Sequence, residues 1–152
     1  MLGAIYGDIV GSRFEFTGFN EYDFLMFHPS CRFTDDTLMT LAVALTLVVT
    51  RNNKENYQNT LIRNMKDIAH KHPNVGWGKM FHAWLFKYRV PVPLNSYGNG
   101  SAMRISPVGW ACDTLEETIE LSKLTTEITH NHPEGMKGAE AVAVAIFMAS
   151  SG

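Results

Sequence analysis

Apolar residues recur every three to four positions along most of the chain, which is the spacing of one face of an α-helix. The clearest stripe precedes Pro73, a residue that cannot continue a helix. Its members are Tyr57, Leu61, Ile62, Met65, Ile68 and Ala69. Similar patterns predict further helices over about residues 80–88, 113–124 and 133–150.

Polar residues and prolines indicate where these helices begin. Asn53 is a plausible cap for the helix that ends near Pro73. Asp113 followed by Glu116 resembles a capping box and predicts the start of the next long helix. Pro133 is expected to open the last helix, since proline is favoured in the first helical turn.

The pattern favours a single all-α domain over residues 1–152. Only residues 90–93 alternate as a strand would, and their two prolines are excluded from the interior of a sheet. Residues 14–33 and 89–100 lack a helical pattern, and long irregular loops are often functional. Residues 141–148 of the last helix have no polar face, so we expect further residues or another chain to bury most of its sides.

Composition and charge narrow the class of protein. Hydrophobic residues make up 45% of the chain and include nine Phe, five Tyr and three Trp, which argues against disorder. A net charge of −2 without a basic cluster argues against a nucleic-acid partner. No apolar run is long enough to span a membrane, no signal peptide is evident, and the two cysteines do not suggest a disulfide framework. We therefore expect a cytoplasmic protein.

The first predicted helix carries two unusual features. Glycines recur every fourth residue over residues 3–11 and would form a ridge that another backbone could approach closely. On another face, Asp8, Ser12 and Glu15 would form an acidic stripe, which is costly to bury unless a cation pairs with it. An ordinary solvent-facing edge explains the same pattern and is slightly favoured by these residues alone.

Residues 34–37 read Thr-Asp-Asp-Thr and come just before the apolar run over residues 38–49. Capping of a helix N-terminus is the commoner explanation, because Thr and Asp are favoured caps and carboxylates suit the first turn. Capping needs only one such residue, however. Two adjacent carboxylates between two hydroxyls also offer the oxygen ligands that hard divalent cations prefer.

Two further polar segments could contact a ligand. Residues 98–104 run from a Gly-Asn-Gly turn into an expected helix start, where backbone N–H groups and Arg104 could hold an anion. A plain Asn-Gly turn is the alternative. His130 and His132 could bind zinc, but no third ligand is evident. A connector with Asn131 or His132 capping the next helix is simpler, and a single histidine facing a ligand is a third interpretation.

Each segment is ambiguous alone, but their combination and order are specific. The chain resembles the ADP-ribosylglycohydrolase family, whose members remove ADP-ribose from arginine or serine and from dinitrogenase reductase. The resemblance runs from residue 3 to about residue 150. It rests on Gly-Asp, Gly-Ser and Glu at 7–15, Thr-Asp-Asp-Thr at 34–37, Gly-Asn-Gly-Ser-Ala-Met-Arg at 98–104 and Thr-His-Asn-His-Pro at 129–133.

The resemblance implies an all-helical fold with a binuclear Mg²⁺ or Mn²⁺ centre that acts on ADP-ribose or an ADP-ribosylated protein. By motif match, Thr34, Asp35 and Asp36 resemble metal ligands, and Glu15 resembles the mobile acidic residue beside the metals. Glu15 or Asp36 would then handle the proton. The residues that resemble the substrate-binding parts of the family are Asn99, Gly100, Ser101, Ala102, Met103 and His130.

The chain differs from the family in one respect. Family members carry a further half, with an Asp-x-Asp-Thr-like motif that completes the metal site, and no such motif follows Thr37. We therefore expect the chain to be the N-terminal half, with little hydrolase activity by itself. One alternative is a catalytically incomplete half-domain that binds ADP-ribose, self-associates or assembles with a complementary C-terminal half. Another is a zinc hydrolase that uses His130 and His132.

Overall fold

The computed structural model describes residues 1–51 and 53–151, and this part of the chain forms seven helices and no strand. The helices are α1 (Leu2–Gly11), α2 (Asp35–Thr50), α3 (Tyr57–Lys71), α4 (Lys79–Phe86), α5 (Ser106–Ala111), α6 (Leu115–Glu127) and α7 (Pro133–Ser151). The all-α prediction is confirmed. Within the described ranges, no helix combines the length and the apolar character needed to cross a bilayer.

Helix α2 lies at the centre and contacts α1, α3 and α5, while α7 packs on α5 and α6. The stripe predicted for α3 faces this core, where Tyr57, Leu61, Met65 and Ala69 are fully buried. Burying one large apolar side chain contributes about 1.5–3 kcal/mol. Packing of this face, rather than helix propensity alone, therefore stabilises α3.

Two predicted helix starts are wrong by a few residues. The side chain of Asn53 accepts a hydrogen bond from the Glu55 N–H in the turn before α3, so it does not cap that helix. Helix α6 is capped by Thr114, whose Oγ1 accepts from the Glu117 N–H at 3.1 Å. The Glu117 carboxylate accepts in turn from the Asp113 N–H, so the capping box lies one residue later than predicted.

The glycines of α1 do not form the expected contact ridge. A Cβ added to any of the three glycines over residues 3–11 would meet no atom within 4 Å among the described residues. The close helix approach occurs at Gly109 of α5 instead. A Cβ there would lie 2.6 Å from the Ala143 carbonyl oxygen and 2.8 Å from the Ile146 side chain. The absent side chain of Gly109 thus lets α5 pack directly on α7.

Helix α7 begins at Pro133 as predicted, and the described part of the chain leaves much of its apolar surface uncovered, which agrees with the expectation that something further would bury it. Its buried residues are Gly135, Ala139 and Ala143, which form one narrow face. Val142 and Met148 are 37% and 65% exposed. Small residues on the buried face allow close packing, whereas Val142 and Met148 remain exposed.

The two segments predicted to be irregular contain no helix or strand over residues 14–33 and 89–100. The first is organised by stacked and edge-on contacts among the rings of Phe14, Phe19 and Phe24, with the Arg13 guanidinium 4.2 Å from the Phe14 ring centre. The second is tied down where the Leu94 N–H donates to the carbonyl oxygen of residue 129. Both segments border the cavities described next.

Candidate functional site

The carboxylate of Asp8, near the end of α1, is bonded to the start of α2. Its Oδ2 accepts from the backbone N–H of Thr34 at 2.8 Å and of Thr37 at 3.2 Å, and from the Thr37 hydroxyl at 2.5 Å. Its Oδ1 accepts from the Thr34 hydroxyl at 2.6 Å. Bonds to an ionised acceptor are roughly twice as strong as neutral ones. Asp8 therefore fixes the N-terminus of α2, a role that the acidic-stripe pattern did not indicate.

The expected stripe along the first helix is also interrupted. Helix α1 ends at Gly11, and Ser12 follows as its C-terminal cap. Glu15 lies in the turns beyond the helix and is exposed. The Ser12 hydroxyl donates to the Ile9 carbonyl and accepts from the Arg32 N–H, so it fastens the loop to α1.

Thr34 caps α2, as the commoner explanation of the Thr-Asp-Asp-Thr segment predicted. Its backbone is extended, and its hydroxyl accepts from the Asp36 N–H at 3.3 Å. Asp35 and Asp36 follow in the first turn, where carboxylates interact favourably with the helix dipole. Capping uses one hydroxyl of the segment, and the two carboxylates remain half-buried at the surface of the cavities.

Negative charge is crowded at this helix end. Burial raises the pKa of Asp35 to about 6, and the neighbouring carboxylate of Asp36 adds to the effect, with smaller contributions from Glu15 and Asp8. Burial likewise raises the pKa of Asp36, followed by the charge of Asp8. A bound cation would reverse these effects, because it favours the ionised form of both carboxyl groups.

Three adjoining cavities bring the predicted residues together. Glu15, Thr34, Asp36 and Asn99 line one of about 280 Å³, which we call the acidic pocket. A second, of about 530 Å³, is lined by Glu15, Thr34 and Asp35 with residues 74–76. Despite this convergence, the described residues include no group of three or more His, Cys, Asp or Glu side chains that could hold a metal ion.

The third cavity, of about 480 Å³, is the loop pocket, and Asp35, Asn99, Gly100, Met103 and His130 are among its lining residues. Asp35 and Asn99 each border a second cavity as well, so the predicted metal ligand Asp35 meets the predicted substrate loop here, and Thr34 and Asp36 meet Asn99 at the acidic pocket. Residues 78–81 at the start of α4 complete the lining together with further residues of the loop. Residues 78–81 were not predicted as part of the site, since neither spacing nor residue type marks them.

The Gly-Asn-Gly loop differs from the expectation in three ways. Residues 98–104 form turns, with the Met103 N–H donating to the Asn99 carbonyl, and α5 begins only at Ser106. The Ser101 hydroxyl is buried and donates to the Gly135 carbonyl at 2.9 Å, which ties the loop to α7. Ala102 is half-buried and lies outside the lining of the loop pocket.

Arg104 does not extend toward an anion as expected. Its side chain is fully buried and donates to the carbonyl oxygens of Gly100 and Thr125, each at 3.2 Å, and to the Thr129 hydroxyl at 2.7 Å. Gly100 in turn packs on His130, since an added Cβ would lie 3.1 Å from the imidazole Cε1 and Nε2. The loop and the histidine are therefore held against each other.

The two histidines have different environments. His130 is 6% exposed, and its Nδ1 lies 2.7 Å from the Thr129 hydroxyl. Burial, and next the charge of Arg104, lowers the pKa of His130 to about 4, so the ring is neutral at pH 7. His132 accepts from the Glu134 N–H at the start of α7, as a helix cap would. In the described part of the chain, no third metal-ligating residue joins them to support a zinc site.

Comparison with known proteins adds an independent finding. The sequence model of the ADP-ribosylglycohydrolase family matches residues 1–152. The ADP-ribosylhydrolase ARH3 of Gallus gallus is 25% identical over 185 residues, which cover 100% of this chain and 49% of that protein. The Homo sapiens ARH3 is 25% identical over 188 residues, covering 100% and 49%, and the Bos taurus ARH3 is 27% identical over 140 residues, covering 79% and 36%. The chain thus spans about half the length of the first two relatives, and about a third of the third.

Proposed function

The chain belongs to the ADP-ribosylglycohydrolase family, and from that premise we propose that it takes part in hydrolysing the glycosidic bond between ADP-ribose and an acceptor side chain. The observation that carries this proposal is the meeting of Asp35 with Asn99, Gly100 and His130 around one cavity. A carboxylate cluster beside a glycine-rich loop offers a cation site next to a place where backbone can approach a phosphate closely.

The metal ligands in this proposal are Thr34, Asp35 and Asp36, and the ions are a pair of Mg²⁺ or Mn²⁺. Their oxygen donors suit hard cations, and the pKa values of both aspartates are raised first by burial and then by neighbouring negative charge, which cations would balance. Bound there, the ions would supply charge stabilisation and orientation of a water and of the ribose hydroxyls. Asp8 is fully engaged with α2, so it supports the ligands rather than joining them.

The remaining roles fall to residues around the same cavities. The Gly100 backbone would approach the diphosphate, since Gly100 lines the loop pocket and has no side chain to hold a ligand away. His130 would contact the substrate from the wall of the loop pocket. Glu15, exposed at the edge of two cavities, or Asp36 would take a proton from the attacking water and return it to the leaving group.

A second candidate function is an ADP-ribose-binding half-domain that acts only with a complementary C-terminal half or a second copy of itself. Two observations favour it. The described residues hold no three-ligand metal group, and a binuclear centre needs ligands on both sides of its two ions. The exposed apolar side chains of α7, Val142 and Met148 among them, also offer a surface for another chain.

The two functions are distinguished by one pair of assays on the purified chain. Mg²⁺ or Mn²⁺ is titrated by calorimetry into wild type, the Asp35→Ala/Asp36→Ala variant and an Asp67→Ala control, whose carboxylate is on the exposed side of α3. We expect heat in wild type and control only, and equal heats in all three would reject the metal site.

Release of ADP-ribose from an ADP-ribosylated arginine or serine peptide is then measured, with and without a separately expressed C-terminal half of a family member. Activity that requires the added half supports the second function. Full activity of the chain alone supports the first.

A further inference from the structure

Arg104 is a fully buried cation with an unusual set of partners. All three hydrogen bonds of its guanidinium go to neutral oxygens, and its Nε has no partner among the described residues. The ion pairs within the described ranges are both at the surface and join other residues. Burying an unpaired charge is costly. The interactions that Arg104 does make therefore need an explanation beyond packing.

The bond to Thr129 determines where a proton lies. Arginine only donates hydrogen bonds, so the Thr129 hydroxyl accepts from Nη2 at 2.7 Å. The hydroxyl has one proton of its own, and the His130 Nδ1 lies 2.7 Å from the same oxygen. Both contacts of the Thr129 oxygen are hydrogen bonds if its hydroxyl accepts from Arg104 and donates its own proton to His130 Nδ1. Because a neutral imidazole carries one proton, Nε2 must then hold it.

The Nε2 edge of the ring faces the ligand side of the site. It lies against Gly100, at 3.1 Å from where a Cβ would be, and both residues line the loop pocket. No hydrogen-bond partner for Nε2 is found in the described part of the chain. Arg104 also donates to the Gly100 carbonyl, so one side chain holds both the loop and the histidine.

We propose that Arg104 and Thr129 are positioning residues that fix His130 in the tautomer with hydrogen on Nε2, which donates to an acceptor oxygen of the ligand in the loop pocket. The identity of that ligand as an ADP-ribosyl group rests on the proposed function, whereas the tautomer does not. The depressed pKa of His130 agrees with this role, because it keeps the ring neutral over the physiological range.

The test is nitrogen-15 NMR of the histidine rings in the full chain, with Thr129→Val and Thr129→Ser as a matched pair. Valine keeps the shape of threonine but lacks the hydroxyl, and serine restores the hydroxyl. In wild type we expect one tautomer, with protonated Nε2 and an unprotonated, hydrogen-bonded Nδ1. In Thr129→Val the Nδ1 signal should move toward that of a free nitrogen and the second tautomer should appear, while Thr129→Ser should resemble wild type.

A protonated Nδ1 in wild type would overturn the proposal, and this measurement does not depend on the folding of any variant. An unchanged Nδ1 signal in a folded Thr129→Val would also overturn it. ADP-ribose binding is measured separately by calorimetry, where Thr129→Val should bind roughly tenfold more weakly than Thr129→Ser. If wild type itself binds no ADP-ribose, the proposed function fails, but the NMR result still decides the tautomer of His130 and the role of Thr129.

Discussion

Removing the Asp8 carboxylate should destabilise the domain far more than its position on a partly exposed helix indicates. Asp8 satisfies two backbone N–H groups of the α2 start, those of Thr34 and Thr37, which have no partner within the helix ladder. It also accepts from both threonine hydroxyls. No other carboxylate accepts from these two N–H groups in the described residues, so Asp8→Ala leaves both unsatisfied.

The size of the effect follows from these four hydrogen bonds. Each bond to a charged group contributes about 1.5–3 kcal/mol, but the four share one carboxylate and do not add. The Thr34 hydroxyl can turn to Asp36 Oδ2, 3.3 Å away, and the loss of one negative charge relieves repulsion at Asp35 and Asp36. We therefore expect a net loss of about 4 kcal/mol for Asp8→Ala. Asp8→Asn, which retains one acceptor oxygen, should lose about 2 kcal/mol.

Urea unfolding followed by circular dichroism at pH 7, without divalent ions, measures these differences. For a domain of this size the larger loss corresponds to a fall in Tm of about 8–16 °C. Asp67→Ala is the control, because its carboxylate is exposed on α3 and should matter by less than about 0.5 kcal/mol. If Asp8→Ala unfolds within 1 kcal/mol of that control, the reasoning about the α1–α2 connection is refuted.

Three further predictions concern the loop, the α5–α7 contact and pH. Gly100→Val should displace the His130 ring, which lies 3.1 Å from the new Cβ. Calorimetry should show ADP-ribose binding weakened roughly tenfold, while the free energy of unfolding falls by about 1–3 kcal/mol. Unchanged binding would contradict this prediction. Gly109→Ala should lower the free energy of unfolding by on the order of 2 kcal/mol or more, because its Cβ would lie 2.6 Å from the Ala143 carbonyl oxygen. Gly138→Ala has open space around it and should raise that free energy by about 0.5–1 kcal/mol. Thermal melts that show the same change in Tm for both variants would contradict this. Burial lowers the pKa of His130 to about 4 from its ordinary value of 6.5. The folded state therefore binds this proton less well than the unfolded state and loses stability as pH falls from 6.5 to 4. Because the ring borders the loop pocket, where solvent screens part of the effect, that loss is roughly 2 kcal/mol. His130→Asn should lose correspondingly less stability between pH 7 and pH 4 in urea titrations.

The sequence by itself determined the parts of this protein that depend on local chemistry. The apolar stripe from Tyr57 to Ala69 predicted a helix and its buried face, and both are confirmed. Pro133 predicted the start of α7 for a similarly local reason. Helical periodicity depends only on residues close together in the sequence, so it predicts a helix without knowledge of what packs against it. The motif order also led to the family that the comparison identifies.

Local patterns were less reliable where several residues could perform the same task. Asn53 and Asp113 are good caps in isolation, but Asn53 completes a turn of its own and Thr114 takes the capping position of α6. The glycines of α1 have helical spacing, yet the close contact is made by the single Gly109. Which of several adequate residues is used depends on the path of the chain around it.

Only the tertiary structure decided how the candidate site is held together. Asp8 binds Thr37 across 29 positions, and Arg104 binds Thr129 across 25. Spacing marked Asp8 as part of an acidic stripe and Arg104 as an anion contact, but both side chains are engaged with other parts of the protein. A polar side chain forms hydrogen bonds with the groups that the fold brings within about 3 Å of it. The local sequence pattern does not indicate which residues, distant along the chain, those groups belong to.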